Sequence, residues 1–335
     1  MATCSQPKCP VATTGVCLEG HKQGCPHRLP DADNPTTTVA ETTPTAPTPS
    51  MEPEPFRFHS GEKLTSLEAS RMISAIPVKV VLCSGAQWAG KTTFLARIGE
   101  MFRNGSFQDF RFAGSKTLCA FERMSWLATI SSGAGRPDTP RSYGAEKDTF
   151  FHLRVQPVAK PDHRADILIS DLPGEAFPSV LASREFCSEQ RALARADHLV
   201  LFVDCCCLVD NAKRHSERDN ASLFLSQVEK CRHDPKDLQV HIVFSRWDYV
   251  SRHGERQKHE EFCNIIEAEL SKRFGNTFGG LRFARIAARP DGMPPTTAEI
   301  QKLFGHWLEE SRSAAVTAML RNPKPARDFC AFGLT

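Results

Sequence analysis

The chain of 335 residues lacks any run of eighteen apolar residues, so no segment reads as a membrane-spanning helix. Its most apolar stretch, His198 to Asp210, has the length and β-branched character of a buried strand. Strong charge of either sign is missing too. Lysine and arginine number 42 against 39 acidic residues, and the net charge of +3 gives no push toward nucleic acid or an acidic membrane surface. The N-terminus has no basic stretch followed by an apolar one, so a secretory signal is not expected. No internal repeat is present, which excludes a solenoid or propeller. A disulfide framework is excluded as well. Thirteen cysteines is an odd count, several lie inside apolar strand-like runs, and without an export signal they read as cytosolic thiols plus a metal site. The expected location is cytoplasmic.

What is present divides by composition. Residues 1–28 hold Cys4, Cys9, Cys17 and Cys25 with His21 and His27. A segment this short cannot build an apolar core, and zinc held by four nitrogen or sulfur ligands would let it fold. Cys4, Cys9, Cys17 and Cys25 are the first-choice zinc set, with His21 as a substitute. The spacing is not a standard finger pattern, and a tail with free thiols is the alternative. Residues 29–74 are expected to form a linker, because their Pro/Thr-rich stretch buries too little apolar surface to offset ordering entropy. Residues 75–312 alternate strand-like and helix-like runs, and 313–335 form a C-terminal extension.

Within 75–312, strands are expected at Val78–Cys83, Phe150–Val158, Ala165–Ile169, Leu199–Asp204, Val240–Phe244 and Leu281–Ile286. Helices are expected at Lys91–Met101, Thr117–Ile130, Pro178–Ala194, Ser222–Cys231, Gln257–Phe274 and Thr297–Glu310. This alternation predicts an α/β three-layer sandwich with a mostly parallel sheet of about six strands. The six-residue connection after Val158 is short enough for a hairpin, so one edge is expected to be antiparallel.

The segment Gly85-Ala86-Gln87-Trp88-Ala89-Gly90-Lys91-Thr92 matches the phosphate-loop pattern, with a strand before it and a helix after. Glycines let the backbone approach a phosphate closely, and turned N–H groups at a helix N-terminus form an anion site. Lys91 is expected to reach the β and γ phosphates, Thr92 to ligate Mg²⁺, and Thr93 to adjoin the phosphates. Trp88 either stacks above the phosphates or packs on the loop's back. The strand ending at Asp171 leads into Asp171-Leu172-Pro173-Gly174, which supplies an outer Mg²⁺ carboxylate and an N–H to sense the γ-phosphate. Read alone, that tetrapeptide is also a plausible turn.

VFSRWD, ending a further strand, resembles the base-recognition motif of the translation-factor-related (TRAFAC) P-loop GTPases. The resemblance spans about residues 77–310. It implies that Asp248 accepts hydrogen bonds from guanine N1–H and the 2-amino group, a pair adenine lacks. It also implies that Arg246 lays its stem along the base, and that an N–H near Ala288, within Ala287-Ala288-Arg289, meets the base O6. The chain departs from the family with Ser245, where Asn or Thr is expected. Arg111–Met124 resembles the corresponding segment of the bacterial double-GTPase families, which are linked to phage-defence and other conflict systems.

A switch threonine is expected at Thr139, within the polar loop 131–148, or at Thr117; the position nearer the hairpin favours Thr139. Glu175 stands where the Ras-like branch has a water-orienting Gln. A carboxylate there can accept a proton from water or repel the γ-phosphate. Slow turnover, or turnover that waits for a protein partner, follows. Arg136 or Arg141 is a candidate arginine finger, and Phe177 through Ala194 is the segment expected to respond to nucleotide. The expected function is a GTP-driven switch that binds GTP and GDP. The alternatives are a nucleotide-binding adaptor with little hydrolysis, or an ATPase or small-molecule kinase on the same loop.

Overall fold

A computed structural model describes residues 59–126 and 149–309, apart from residues 106, 108, 292 and 293, together with short stretches between residues 3 and 29. Residues 1–56 and 57–335 separate into two units. In the first, β1 (Thr3–Cys4) pairs antiparallel with β2 (Arg28–Leu29), and α1 covers Val11–Thr14. His21 and Cys25 of the expected zinc set lie outside the described residues. Cys4 sits opposite Arg28 in the β1–β2 register. Among the described residues no group of three or more His, Cys, Asp or Glu side chains could hold a metal ion, so the zinc expectation finds no support.

The second unit opens earlier than expected. Leu64 bridges antiparallel to Phe150, and α2 (Ser66–Ala75) follows inside the stretch read as linker. A capping box starts that helix: Thr65 Oγ1 accepts from Glu68 N, and Thr65 N donates to Glu68 Oε2 at 2.8 Å. Leu64, Ala69 and Met72 are buried in the core. The Thr-x-x-Glu signal was legible but lay hidden behind the low-complexity stretch preceding it.

The remaining elements follow in order: β3 (Val78–Gly85), α3 (Lys91–Arg103), β4 (Phe110–Gly114), α4 (Leu118–Ser125), β5 (Phe150–Pro157) and β6 (Ala165–Asp171). Then come α5 (Phe177–Ala182), α6 (Arg184–Glu189), α7 (Arg191–Arg195), β7 (His198–Asp204), α8 (Cys205–Val209) and α9 (Arg214–Cys231). The last are β8 (Gln239–Ser245), α10 (Asp248–Ser251), α11 (Arg256–Phe274), β9 (Gly280–Ile286) and α12 (Thr297–Leu308). Seven strands form one sheet in the order β4-β5-β6-β3-β7-β8-β9. The five from β6 to β9 are parallel, and β5 and β4 run antiparallel at one edge, so the expected hairpin is present.

The seventh strand, β4, escaped the sequence reading. It pairs with β5 alone, carries a register irregularity between Phe112 and Gly114, and exposes Arg111 and Phe112. An edge strand of this kind needs no apolar periodicity to form. The helix expected over Pro178–Ala194 is three short ones. Ser183 leaves helical geometry and accepts from Phe186 N, which starts α6, and Gln190 leaves it again before α7.

Helices cover both faces of the sheet, and alternation along each strand divides the core into two layers. Val80 and Leu82 of β3, Leu199, Leu201 and Val203 of β7, and Ile242 and Phe244 of β8 pack in one layer with residues of α2, α9 and α11. Val81, Cys83, Val200, Phe202 and Val243 pack in the other with α3, α4 and α12. A parallel sheet buried on both faces aims the carboxyl ends of its strands at one crevice, where ligands of such folds bind.

Candidate nucleotide-binding site

The loop from Gly85 to Gly90 joins β3 to α3 at that edge. Gly85 has φ +150°, and a Cβ there would lie 2.8 Å from the Phe202 carbonyl oxygen. Only glycine allows β7 to run this close. Gly90 is left-handed at φ +83° and serves as the N-cap of α3. Lys91 is buried, and its Nζ donates to the carbonyl oxygens of Gly85 and Ala86, each at 3.1 Å. The loop is therefore curled around its own ammonium group. Trp88 holds φ +67°, a strained value for a residue with a side chain, and its indole is 66% exposed. Ala89 is fully buried, whereas Thr92 and Thr93 are half-buried.

Asp171 ends β6 in register with Cys83 of β3, and Leu172 N donates to Cys83 O at 2.9 Å. The segment beyond it lies on the phosphate loop. A Cβ on Gly174 would meet Gln87 Cα at 2.6 Å and Gln87 N at 2.7 Å. Gln87 Nε2 donates to Glu175 Oε1 at 3.2 Å. The residue expected beside the γ-phosphate is thus hydrogen-bonded to the loop expected to cradle it. Thr92 stands in the first turn of α3 and Asp171 is the last residue of β6; hydroxyl and carboxylate oxygens are the donor types a hard divalent cation takes.

Ser245 through Asp248 run from β8 into α10. Ser245 Oγ donates to Val203 O at 3.2 Å. Arg246 adopts φ +51° and donates through Nε to Asp204 Oδ1 at 2.7 Å, with its NH2 nitrogen on Oδ2 of the same carboxylate. Its guanidinium also lies 5.4 Å from the Tyr249 ring centroid. A Cβ on Gly90 would stand 3.9 Å from both Arg246 Cγ and Ser245 Cβ, so the two motifs, far apart in sequence, adjoin in the fold. Asp248 is buried and its Oδ2 accepts from Arg252 at 2.9 Å; Arg252 also donates to the Asp291 carbonyl oxygen. Trp247 N donates to Ile286 O at 3.1 Å, which ties this loop to the segment carrying Ala288, itself half-buried.

Thr117 is the N-cap residue of α4. It is fully buried, and its Oγ1 accepts from His152 N at 2.9 Å. Thr139, Arg136 and Arg141 lie outside the described residues. Two residues here were missed by sequence reasoning, Asp204 and Arg252. An Asp closing the strand next to the phosphate-loop strand was the available signal for the first. Asp204 is buried, accepts from Cys206 N at 2.9 Å, and donates its own N–H to Glu217 Oε1 at 2.8 Å. Burial pushes the Glu217 carboxyl up to about 7.

The model of the family described as Double-GTPase 2 matches residues 79–308, most of the chain. The chain belongs to that family. It is a P-loop GTPase, and the region matched holds every described motif from the phosphate loop to Ala288. No curated protein matches it. Among solved structures, the Saccharomyces cerevisiae Ski7 GTPase-like domain bound to GDP and inorganic phosphate is similar at 15% identity and TM-score 0.40, covering 72% of this chain and 53% of that one. The signal recognition particle receptor SRb-GTP/SRX complex of Chaetomium thermophilum is similar at 14% identity and TM-score 0.35, covering 68% and 98%. The LeoA bacterial dynamin GTPase from ETEC follows at 16% identity and TM-score 0.30, covering 75% and 36%. This Double-GTPase 2 member thus spans about half the length of the Ski7 chain, and the three likenesses add nothing to the family assignment. Among the described residues no helix is long and apolar enough to cross a membrane.

Proposed function

We propose that this GTPase is a switch that binds GTP with Mg²⁺, hydrolyses it slowly, and releases a protein partner or an activity as the nucleotide changes. The observation that carries the reading is the meeting of the Ser245–Asp248 loop with Gly90. A phosphate-binding loop and a guanine-reading carboxylate then serve one nucleotide. In this reading Gly85, Gly90 and Lys91 hold phosphates, with backbone N–H groups of Ala86 to Thr93 around them. Thr92 and Asp171 hold Mg²⁺, whose chemistry is to neutralise charge between the β and γ phosphates. Gly174 senses the γ-phosphate, Arg246 lines the base, Asp248 selects guanine and Ala288 meets O6.

In this reading Lys91, which donates to the Gly85 and Ala86 carbonyls, exchanges those partners for nucleotide phosphates. Glu175, engaged with Gln87, leaves the site without a neutral water-orienting amide, and this supports slow turnover or dependence on a partner. Thr139 is the proposed switch threonine, since Thr117 is consumed in the His152 network. Residues 75–312, extended back to include α2, constitute the GTPase domain. The likeness of Arg111–Met124 to the double-GTPase segment supports a place in a bacterial conflict or phage-defence system.

A second reading, a nucleotide-binding adaptor with little hydrolysis, is favoured by the same Gln87–Glu175 bond. Calorimetric titration of the protein and of Asp248→Ala with GDP and ADP, each with Mg²⁺, tests the nucleotide. Selective GDP binding that the variant loses supports the guanine reading. Equal binding of both nucleotides moves the protein to an ATPase or kinase. Single-turnover hydrolysis of GTP then separates switch from adaptor.

A further inference from the structure

We infer that Asp204 is a positioning residue for base selection: through Arg246 it holds the guanine-reading loop against the phosphate loop. The inference rests on the proposed reading of Asp248. Asp204 closes β7, the strand between the phosphate-loop strand β3 and the base-loop strand β8. It is 3% exposed and has four donors on one carboxylate: Cys206 N, the Cys207 thiol and two nitrogens of the Arg246 guanidinium. A planar guanidinium facing a carboxylate in this way is fixed in orientation as well as in place.

The pair does something the local chain would not do alone. Arg246 has left-handed φ, which a residue with a side chain adopts only when its surroundings hold it there. That turn sends the chain directly from β8 into Trp247 and Asp248, and it brings the Arg246 stem beside Gly90. Neighbouring contacts act in the same direction, with Ser245 Oγ on the Val203 carbonyl one residue before Asp204. The first half of the base loop, Ser245 and Arg246, is therefore fastened to the end of β7. The Asp204–Arg246 pair is the side-chain tie that holds the Arg246 turn beside the phosphate loop, while Trp247 N is held by the Ile286 carbonyl. Releasing it lets Asp248 drift from the base while the phosphate loop stays formed. The loss therefore falls on guanine recognition, not on phosphate binding.

The test is Asp204→Asn, titrated with Mg·GDP and with Mg·ADP beside the unaltered protein. The expected result is a GDP dissociation constant raised about tenfold with ADP binding little changed, so that the ADP-to-GDP ratio falls about tenfold. A merely structural role lowers the melting temperature and leaves that ratio alone. Because Asp204 also receives Cys206 N, Arg246→Gln removes the pair from the other side without disturbing that cap. It is expected to lower the ratio at least as much as Asp204→Asn, because Arg246 also lines the base, and the double variant to lose little more than Arg246→Gln alone. A selective parent with equally selective variants, or additive losses in the double variant, overturns the inference alone. A parent that does not prefer GDP overturns the reading of Asp248, and the inference with it.

Discussion

Gln87 in the phosphate loop donates its amide to Glu175 at 3.2 Å, joining the two segments that would face each other across a γ-phosphate. Both side chains are exposed, so the bond is weak and easily exchanged. The carboxylate nevertheless places a negative charge where a triphosphate adds another. Glu175→Gln is expected to favour a non-hydrolysable GTP analogue over GDP by about two- to fivefold relative to the parent, less at high salt. Titrations of both nucleotides at two ionic strengths check this. An unchanged ratio would show that Glu175 lies away from the terminal phosphate.

Gly85 and Gly90 are glycines for different reasons, and alanine at each separates them. At Gly85 the added Cβ meets the backbone carbonyl of Phe202 at 2.8 Å, which cannot yield without moving β7. Gly85→Ala is expected to cost about 3 kcal/mol of stability. At Gly90 the nearest atoms are 3.9 Å away, so only the left-handed conformation is penalised, at about 1 kcal/mol. Denaturant unfolding without nucleotide should rank the two in that order. The reverse order would refute the steric account of Gly85.

His198 and His241 lie on neighbouring strands, with Nδ1 of the first 3.2 Å from Nε2 of the second, and the His241 ring stacks near His306 of α12. Burial lowers His198 to about 4, and burial together with His198 and Arg282 holds His241 well below the ordinary histidine value. Both are neutral in the folded protein, whereas in the unfolded chain they take up protons near pH 6.5. The unfolded state therefore binds more protons between about pH 4 and 6.5. Stability is full above 6.5 and is lost as pH falls through that window. In His241→Gln the slope of unfolding free energy against pH, averaged from 5.0 to 6.5, should be shallower by about 1 kcal/mol per pH unit. Parallel slopes would sink the claim.

The sequence by itself determined the framework. Strand-length apolar runs, the Gly85–Thr92 pattern between a strand and a helix, and the short connection after Val158 predicted an α/β sheet with one antiparallel edge, and that sheet is present. Such signals are local: periodicity, glycine spacing and turn length act over a few residues. Only the tertiary structure decided which side chains are occupied by others. Thr117 reads from the sequence as a candidate switch threonine, and in the fold its hydroxyl is engaged by His152 of β5. Arg246 was read as a stem along a base, and its guanidinium turned out to be taken by Asp204 from another strand. β4 exists because β5 offers it an edge. Each of these depends on partners distant in sequence, brought together by strand pairings whose registry no short window encodes.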